Sequence, residues 1–392
     1  MAEMKVTFIT GHNWDTKRHG GFHKFAEFCA LNDHETVFFS FPRPYYSLFM
    51  HREQMNSHVL LKLAKGMTYD LGNSGKEILN VTYPTFRLPD GITKRLPEKL
   101  TLWLATHGLV PFTFFAKKFL RNTDVFVFES NECVYLMKKI RRLFPESKVI
   151  YRPSDPMVFG SVPSRLKNAE KEMLLNADLN LIVNMEGLEA YRKSIPDFEN
   201  KAKFELLSNG VDIESYTKSY PIPEELKKNN TILYVGAWEV EWPLLFRGAR
   251  ENPDQNYIVV CPNYPAEEIK KQLGNYENLT YVPGIKPDQV PAWITNCSVV
   301  MVPYVTDFYK DRPLGITAKY YQAMAAGKPI VAYHDTPKLK DAGVAVTYSY
   351  DDFLYEIRRA LENKKRNYSF DITGRDWNVI CTKFMEFIAK KS

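Results

Sequence analysis

The sequence predicts an α/β protein built from two parallel-sheet units, and three observations carry that expectation. Short apolar runs rich in Val, Ile and Phe recur along the chain and alternate with segments whose apolar residues fall at helical spacing. The alternation lapses near residues 200–230 and then restarts. The 392 residues exceed what one ordinary core holds and suit two domains of roughly 150–200 residues each.

Residues 6–10 (VTFIT) read as the first strand, followed by a polar loop over 11–21. Phe22, Phe25, Ala26, Cys29 and Ala30 then keep helical spacing. Further strands are expected at 36–40, 125–129 (VFVFE), 148–152 (KVIYR) and 179–183 (LNLIV), with helices near 132–144 and 164–176. Residues 218–230, rich in Pro and Lys, mark the junction. Beyond it, strands are expected at 231–235 (TILYV), 257–261, 279–283, 298–303 (SVVMVP) and 329–333. Helices are expected there at 266–272, 291–296 and 318–326. In the tail, 376–391, Trp377, Ile380, Phe384, Phe387 and Ile388 share one helical face, which therefore has a surface to bury.

Composition narrows the function. The chain is 45% apolar and 25% charged, which excludes general disorder. Its five cysteines are scattered and include no CxxC, so a reducing compartment is expected, without a disulfide scaffold or structural zinc. His19 and His23 stand four apart, but no third ligand lies near them in sequence, so no metal site is expected. Residues 1–5 are short and mixed in charge, and no run of 18 apolar residues occurs, so neither an export signal nor a membrane span is expected.

The net charge of +6 is unevenly placed. Residues 1–150 hold 21 Lys and Arg against 14 Asp and Glu, and the remainder is nearly balanced. Two basic, aromatic stretches stand out there, 38–52 (FFSFPRPYYSLFMHR) and 95–121 with Trp103, Phe112, Phe114 and Phe115. Rings beside cations suit an anionic membrane surface, and the same composition also suits loop and helix core. No nucleic-acid motif accompanies them, so no nucleic-acid partner is expected.

The richest stretch for chemistry is AKYYQAMAAGKPIVA, 318–332. A helix starting near Ala318 puts Lys319 in its first turn and Gln322 one turn deeper on the same face. Free N–H groups, the macrodipole and a cation together favour a diphosphate. Tyr304 ends the preceding strand, and ligands of open α/β sheets bind at such ends. Gly236, after the strand at 231–235, lets a ligand approach closely. Asp155 follows the strand at 148–152 and is expected on a loop at that strand's carboxyl end.

These residues resemble the GT-B glycosyltransferases. The matching pieces are NGVD at 209–212, VGA at 235–237, VPY at 302–304 and AMAAGKPIVA at 323–332. The common retaining pattern has two glutamates eight positions apart, and here those positions are Leu314 and Gln322. The K-x-x-Q spacing of Lys319 and Gln322 is instead similar to the xanthan-type glucuronosyltransferases. So are DVFVFES at 124–130, YRPSD at 151–155 and, loosely, HNWDTKRHGGFH at 12–23.

The resemblance implies an α/β GT-B fold of two Rossmann-like domains facing a cleft. The acceptor domain is expected at 1–200, the donor domain at 201–370, and a helix at 371–392 crossing back to the first domain. It implies inverting, metal-independent transfer from a UDP-sugar, glucuronate first, without a cofactor, to a lipid-linked saccharide at the cytoplasmic face of an inner membrane. Asp155 inherits the role of base, taking the acceptor hydroxyl's proton. Gly236, Tyr304, Lys319 and Gln322 fall to the donor, and Lys310 and Arg312 to a donor carboxylate, which Arg reads bidentately. His12, Asp15 and Arg152 fall to the acceptor, with a pairing of Arg152 with Glu129 left open. Another UDP-sugar or a soluble acceptor, a GT-B epimerase and a non-catalytic sugar-nucleotide-binding partner stay open at this point.

Overall fold

A computed structural model describes residues 3–16, 19–47, 66–159, 162–237, 239–263, 265–306, 315–363, 368 and 370–390. It divides into two units, Met1–Ser208 with Cys381–Ser392, and Asn209–Ile380.

The first unit is an eight-stranded sheet. Its strands are β1 (Lys5–Thr10), β2 (Glu35–Pro44), β3 (Met67–Asp70), β4 (Glu77–Thr85), β5 (Val125–Glu129), β6 (Lys148–Arg152), β7 (Leu179–Ile182) and β8 (Phe204–Leu206), in the order β3-β4-β2-β1-β5-β6-β7-β8. All pairs are parallel except β3 with β4. Parallel strands covered by helices on both faces read as continuous apolar runs, and VFVFE in β5 is buried at every position. The helices used below are α1 (Gly21–Leu31), α2 (Glu98–Thr106), α3 (Phe112–Phe119) and α4 (Ser164–Asn176).

The second unit is a six-stranded, all-parallel sheet. Its strands are β9 (Thr231–Val235), β10 (Asn256–Val260), β11 (Leu279–Val282), β12 (Val299–Pro303), β13 (Ile330–Tyr333) and β14 (Ala345–Thr347), in the order β11-β10-β9-β12-β13-β14. Its helices include α5 (Trp242–Glu251), α6 (Ala318–Ala325) and α7 (Tyr350–Glu362).

Each sheet has one point where the winding reverses. In the first, the chain leaves β1 toward β2 on one side and β5 lies on the other. In the second, β9 has β10 on one side and β12 on the other. Loops leaving the carboxyl ends of such a strand pair diverge and open a crevice, which is where ligands of open α/β sheets bind. The first crevice lies at Thr10–Glu129 and the second at Val235–Pro303.

The last helix, α8 (Trp377–Ala389), starts in the second unit and finishes in the first. Its beginning is tied by an isolated bridge between Val211 and Asp376. Gly210 packs so closely on Trp377 that a Cβ there would stand 2.6 Å from the indole. In the first unit, Phe384 is fully buried against Phe8 and Phe25, at ring distances of 6.0 and 4.5 Å. Lys148 Nζ donates to the carbonyls of Phe387 (3.0 Å) and Lys390 (2.7 Å), satisfying groups that a helix end leaves open.

The basic, aromatic stretch 95–121 divides between core and surface. Phe112, Phe115 and Phe119 face the core, while Trp103, Leu109, Val110 and Phe114 are 48%, 74%, 45% and 66% exposed. Arg95, Lys99, Lys117 and Lys118 are exposed beside them. The stretch 38–52 is described only to Ser47, and its first part extends β2 as far as Pro44.

Candidate active site

The first crevice is organised around Glu129, the only charged residue of β5. Its Oε2 accepts from Thr10 Oγ1 (2.5 Å), Asn131 Nδ2 (2.8 Å) and the Gly11 amide (3.3 Å). Its Oε1 pairs with His12 Nε2 at 3.5 Å. These partners outweigh desolvation and hold the Glu129 carboxyl below its ordinary range. The hydrogen bond to Glu129 in turn raises His12 above the usual histidine value.

Arg152 pairs in register with Glu129 across β5 and β6. It is 1% exposed, lies 5.5 Å from the Phe25 ring centroid and donates from Nη1 to Pro153 O at 3.0 Å. Desolvation brings its pKa down to about 10, with Glu129 and Asp155 the nearest compensating charges. Buried this way, Arg152 acts on the crevice through its field.

Asp155 follows on the loop after β6. Ser130 Oγ accepts from the amides of Ser154 (2.9 Å) and Asp155 (3.2 Å), which fixes the backbone of that loop. The residue reaches solvent, yet desolvation around its carboxyl raises its pKa. Repulsion from Glu129 adds to the rise and Arg152 opposes it. A carboxylate raised in this way and open to solvent is suited to take a proton. Asp15 is half-buried and accepts from the Tyr69 hydroxyl at 2.8 Å. His23 is buried, with Nε2 2.9 Å from Asn13 O, and its ring stacks on His19 at 4.5 Å. Among the described residues no group of three or more His, Cys, Asp or Glu could hold a metal ion.

The second crevice brings Gly236, Tyr304 and Lys319 together. Lys319 lies in the first turn of α6, and its ammonium donates to the Tyr304 hydroxyl. It also sits 4.5 and 5.0 Å from the ring centroids of Tyr304 and Tyr234. A Cβ at Gly236 would lie 2.5 Å from the Tyr234 hydroxyl and 3.2 Å from Lys319 Nζ, so this position has room for glycine alone. Desolvation lowers the Lys319 pKa to about 7. Tyr304 is 1% exposed, so it serves as the lysine's partner and offers no free ring face for stacking. Gln322 is half-buried one turn along α6. The N-terminus of α6 has no side-chain cap, and the buried Thr317 Oγ1 finds no hydrogen-bond partner among the described residues. Open N–H groups, an unsatisfied hydroxyl and an ammonium held against its preference for water form a site for a di-anion. Lys310 and Arg312 lie outside the described residues.

Two α/β units, each with chemistry-bearing side chains at its sheet's reversal point, have the GT-B fold, and the families that match them are glycosyltransferases. The family described as glucuronosyltransferase GumK, N-terminal domain, matches residues 8–183, and the family described as glycosyl transferases group 1 matches residues 230–363. The chain thus resembles the GumK-type glucuronosyltransferases. No curated protein matches it significantly.

Solved structures match over nearly the whole chain. Sucrose-phosphate synthase from Thermosynechococcus elongatus aligns with a TM-score of 0.68 at 13% identity, covering 98% of each chain. A UDP-forming α,α-trehalose-phosphate synthase from Burkholderia xenovorans, solved with glucose-6-phosphate, has a TM-score of 0.66 at 11% identity, covering 98% of this chain and 100% of its own. Anabaena Alr3699/HepE, solved with UDP-glucose, has a TM-score of 0.59 at 13% identity, covering 99% and 100%.

Proposed function

We propose that this glycosyltransferase moves a sugar from a UDP-sugar to a hydroxyl with inversion, using Asp155 as the base and no metal. The observation that carries the reading is the Lys319 site: an ammonium at an uncapped helix start, beside Gly236 at the end of β9 and Tyr304 at the end of β12. It is suited to the two phosphates of a departing nucleoside diphosphate, whose developing charge the ammonium and the helix N-terminus stabilise. Gln322 extends the same helix face toward the donor. Asp155 takes the proton of the attacking hydroxyl, His12 and Asp15 border the acceptor, and Arg152 tunes Asp155 from below.

Glucuronate is the first donor sugar by resemblance, and Lys310 or Arg312 would meet its carboxylate. The acceptor is a saccharide, lipid-linked at the cytoplasmic face of an inner membrane. Support for that placement comes from the exposed Trp103, Leu109 and Phe114 beside four exposed cations, since rings and aliphatic groups enter the interface while cations meet anionic head groups. In the described residues no helix is long and apolar enough to cross a membrane.

Thermal unfolding against UDP, UDP-glucuronate, UDP-glucose, UDP-GlcNAc and GDP-mannose tests the donor. A ligand at 100 times its dissociation constant adds about 2.7 kcal/mol of stability. Shifts with the UDP compounds are expected, largest for UDP-glucuronate. No shift with any of them would overturn the reading of Lys319.

A further inference from the structure

We propose that a second anion site lies in the first unit, where Arg165, Arg43 and Arg87 bind a phosphate group carried by the acceptor. The inference rests on the reading of Asp155 as the base and names the class of acceptor that base would serve. A cavity of about 600 Å³ opens at the carboxyl side of the first sheet. That volume suits a sugar phosphate.

The three arginines reach the cavity from different elements. Arg43 lies near the end of β2, Arg87 just beyond β4, and Arg165 is the second residue of α4. Arg87 is compensated, since its Nε pairs with Glu132 Oε2 at 2.6 Å and its Nη1 donates to the Tyr46 hydroxyl at 3.2 Å. Arg43 is bound to neutral oxygens, donating to Gly11 O at 2.6 Å and to Asn13 Oδ1 at 3.4 Å. Arg165 hydrogen-bonds Tyr135. Among the described residues neither Arg43 nor Arg165 pairs with a carboxylate, and Glu132 is the only acid lining the cavity. Two positive charges are therefore left over inside a concave wall, where the field is focused. A neutral saccharide gives no reason to gather guanidinium groups, whereas a phosphate ester matches their planar forks. The first turn of α4 has neither a side-chain cap nor an acid, and Pro163 and Leu166 from it line the same wall, so the helix adds to the positive field.

One side chain connects this cavity to the base. Ser130 lines the wall, and its Oγ accepts from the Asp155 amide at 3.2 Å. A phosphate on the arginines leaves the sugar attached to it next to the Asp155 loop. Two sources carry this chemistry, a soluble sugar phosphate and a saccharide linked to a prenyl diphosphate.

The test is calorimetric titration of the full chain in saturating UDP, which fills the nucleotide site of the second unit. The probes are glucose, glucose 6-phosphate and farnesyl diphosphate. At least one phosphate probe should bind and glucose should not. Arg165→Gln should weaken that binding about tenfold or more, the scale of a lost charge-assisted hydrogen bond. Glu132→Gln, which removes the cavity's acid, should tighten it, and UDP affinity should stay within about twofold in both variants. Binding of glucose 6-phosphate alone assigns a soluble acceptor, and binding of farnesyl diphosphate alone assigns a lipid-linked one. Absence of binding by both phosphates, or equal affinity in wild type and Arg165→Gln, overturns the proposal. Failure of UDP itself to bind would instead be visible in the thermal panel and would count against the donor reading.

Discussion

Lys319 should make donor binding depend on pH near neutrality. An exposed lysine keeps its proton to about pH 10. Burial between Tyr304 and Tyr234 lowers the Lys319 pKa to about 7, so in the free protein about half of it is charged at pH 7. A diphosphate prefers the charged form and holds the proton on. Binding is therefore strongest below pH 7 and weakens as pH rises through the free-state pKa. The charged fraction falls about tenfold between pH 6 and pH 8, so affinity should fall by about the same factor, or about 1.4 kcal/mol. UDP-glucose is the ligand to use, because its diphosphate has no group titrating in this range. Calorimetry at pH 7 in two buffers of different ionisation enthalpy should also register uptake of about half a proton. Lys319→Ala should lose about 1.5–3 kcal/mol at pH 6, lose less at pH 8, and show no slope. Lys319→Arg stays charged throughout and should also be flat. Parallel pH profiles for wild type and Lys319→Ala would assign the slope to another group and remove Lys319 as its source.

Other outcomes follow from the same geometry. Asp155→Asn should reduce turnover by roughly 10²–10⁴-fold while UDP-glucose still binds, and unchanged turnover would remove Asp155 as base. Glu129 repels the Asp155 carboxylate, so Glu129→Gln should move the acid limb of the kcat–pH profile to lower pH and bring His12 down toward its ordinary value by NMR titration. Gly236→Ala forces a Cβ against Tyr234 and should cost about 1–3 kcal/mol in a denaturant melt, with weaker UDP-glucose binding alongside. Flotation with vesicles should rise with anionic lipid and fall with salt, and Leu109→Asp with Phe114→Ser should abolish it; a wild-type chain that never floats would favour a soluble acceptor.

Much of the fold was legible because buried parallel strands carry an unmistakable run of apolar residues, as VFVFE and SVVMVP do. Strands β3 and β4 escaped, since MTYD at the sheet edge is half exposed and EILNVTYPT mixes Asn and Pro into its pattern. In the candidate site, the strand ends and the helix start pointed to Asp155, Gly236, Tyr304 and Lys319. What sequence could not supply was pairing. Tyr304 read as a strand-end residue facing the donor, and the structure shows its buried hydroxyl accepting from Lys319. For Arg152 the sequence left an acceptor contact and a pairing with Glu129 both open, and the structure buries it in register with Glu129. Glu129 carried a signal of its own, the single acid closing an otherwise apolar strand, but beyond the neighbouring Asn131 its role as a hub depends on Thr10 and His12, more than a hundred positions away in sequence.

The path of α8 has a consequence for how the chain is made. The first unit needs Phe384 in its core and the Lys148 cap on the helix end, yet these residues emerge from the ribosome only after the whole of the second unit. At about 5–20 residues per second, residues 1–208 wait on the order of ten seconds or more with Phe8 and Phe25 uncovered. During that interval the nascent first unit presents a greasy groove of its own sequence's making. A premature stop before Phe384 would therefore leave Phe8 and Phe25 without that cover in the earliest-made half of the protein, rather than merely trim the latest.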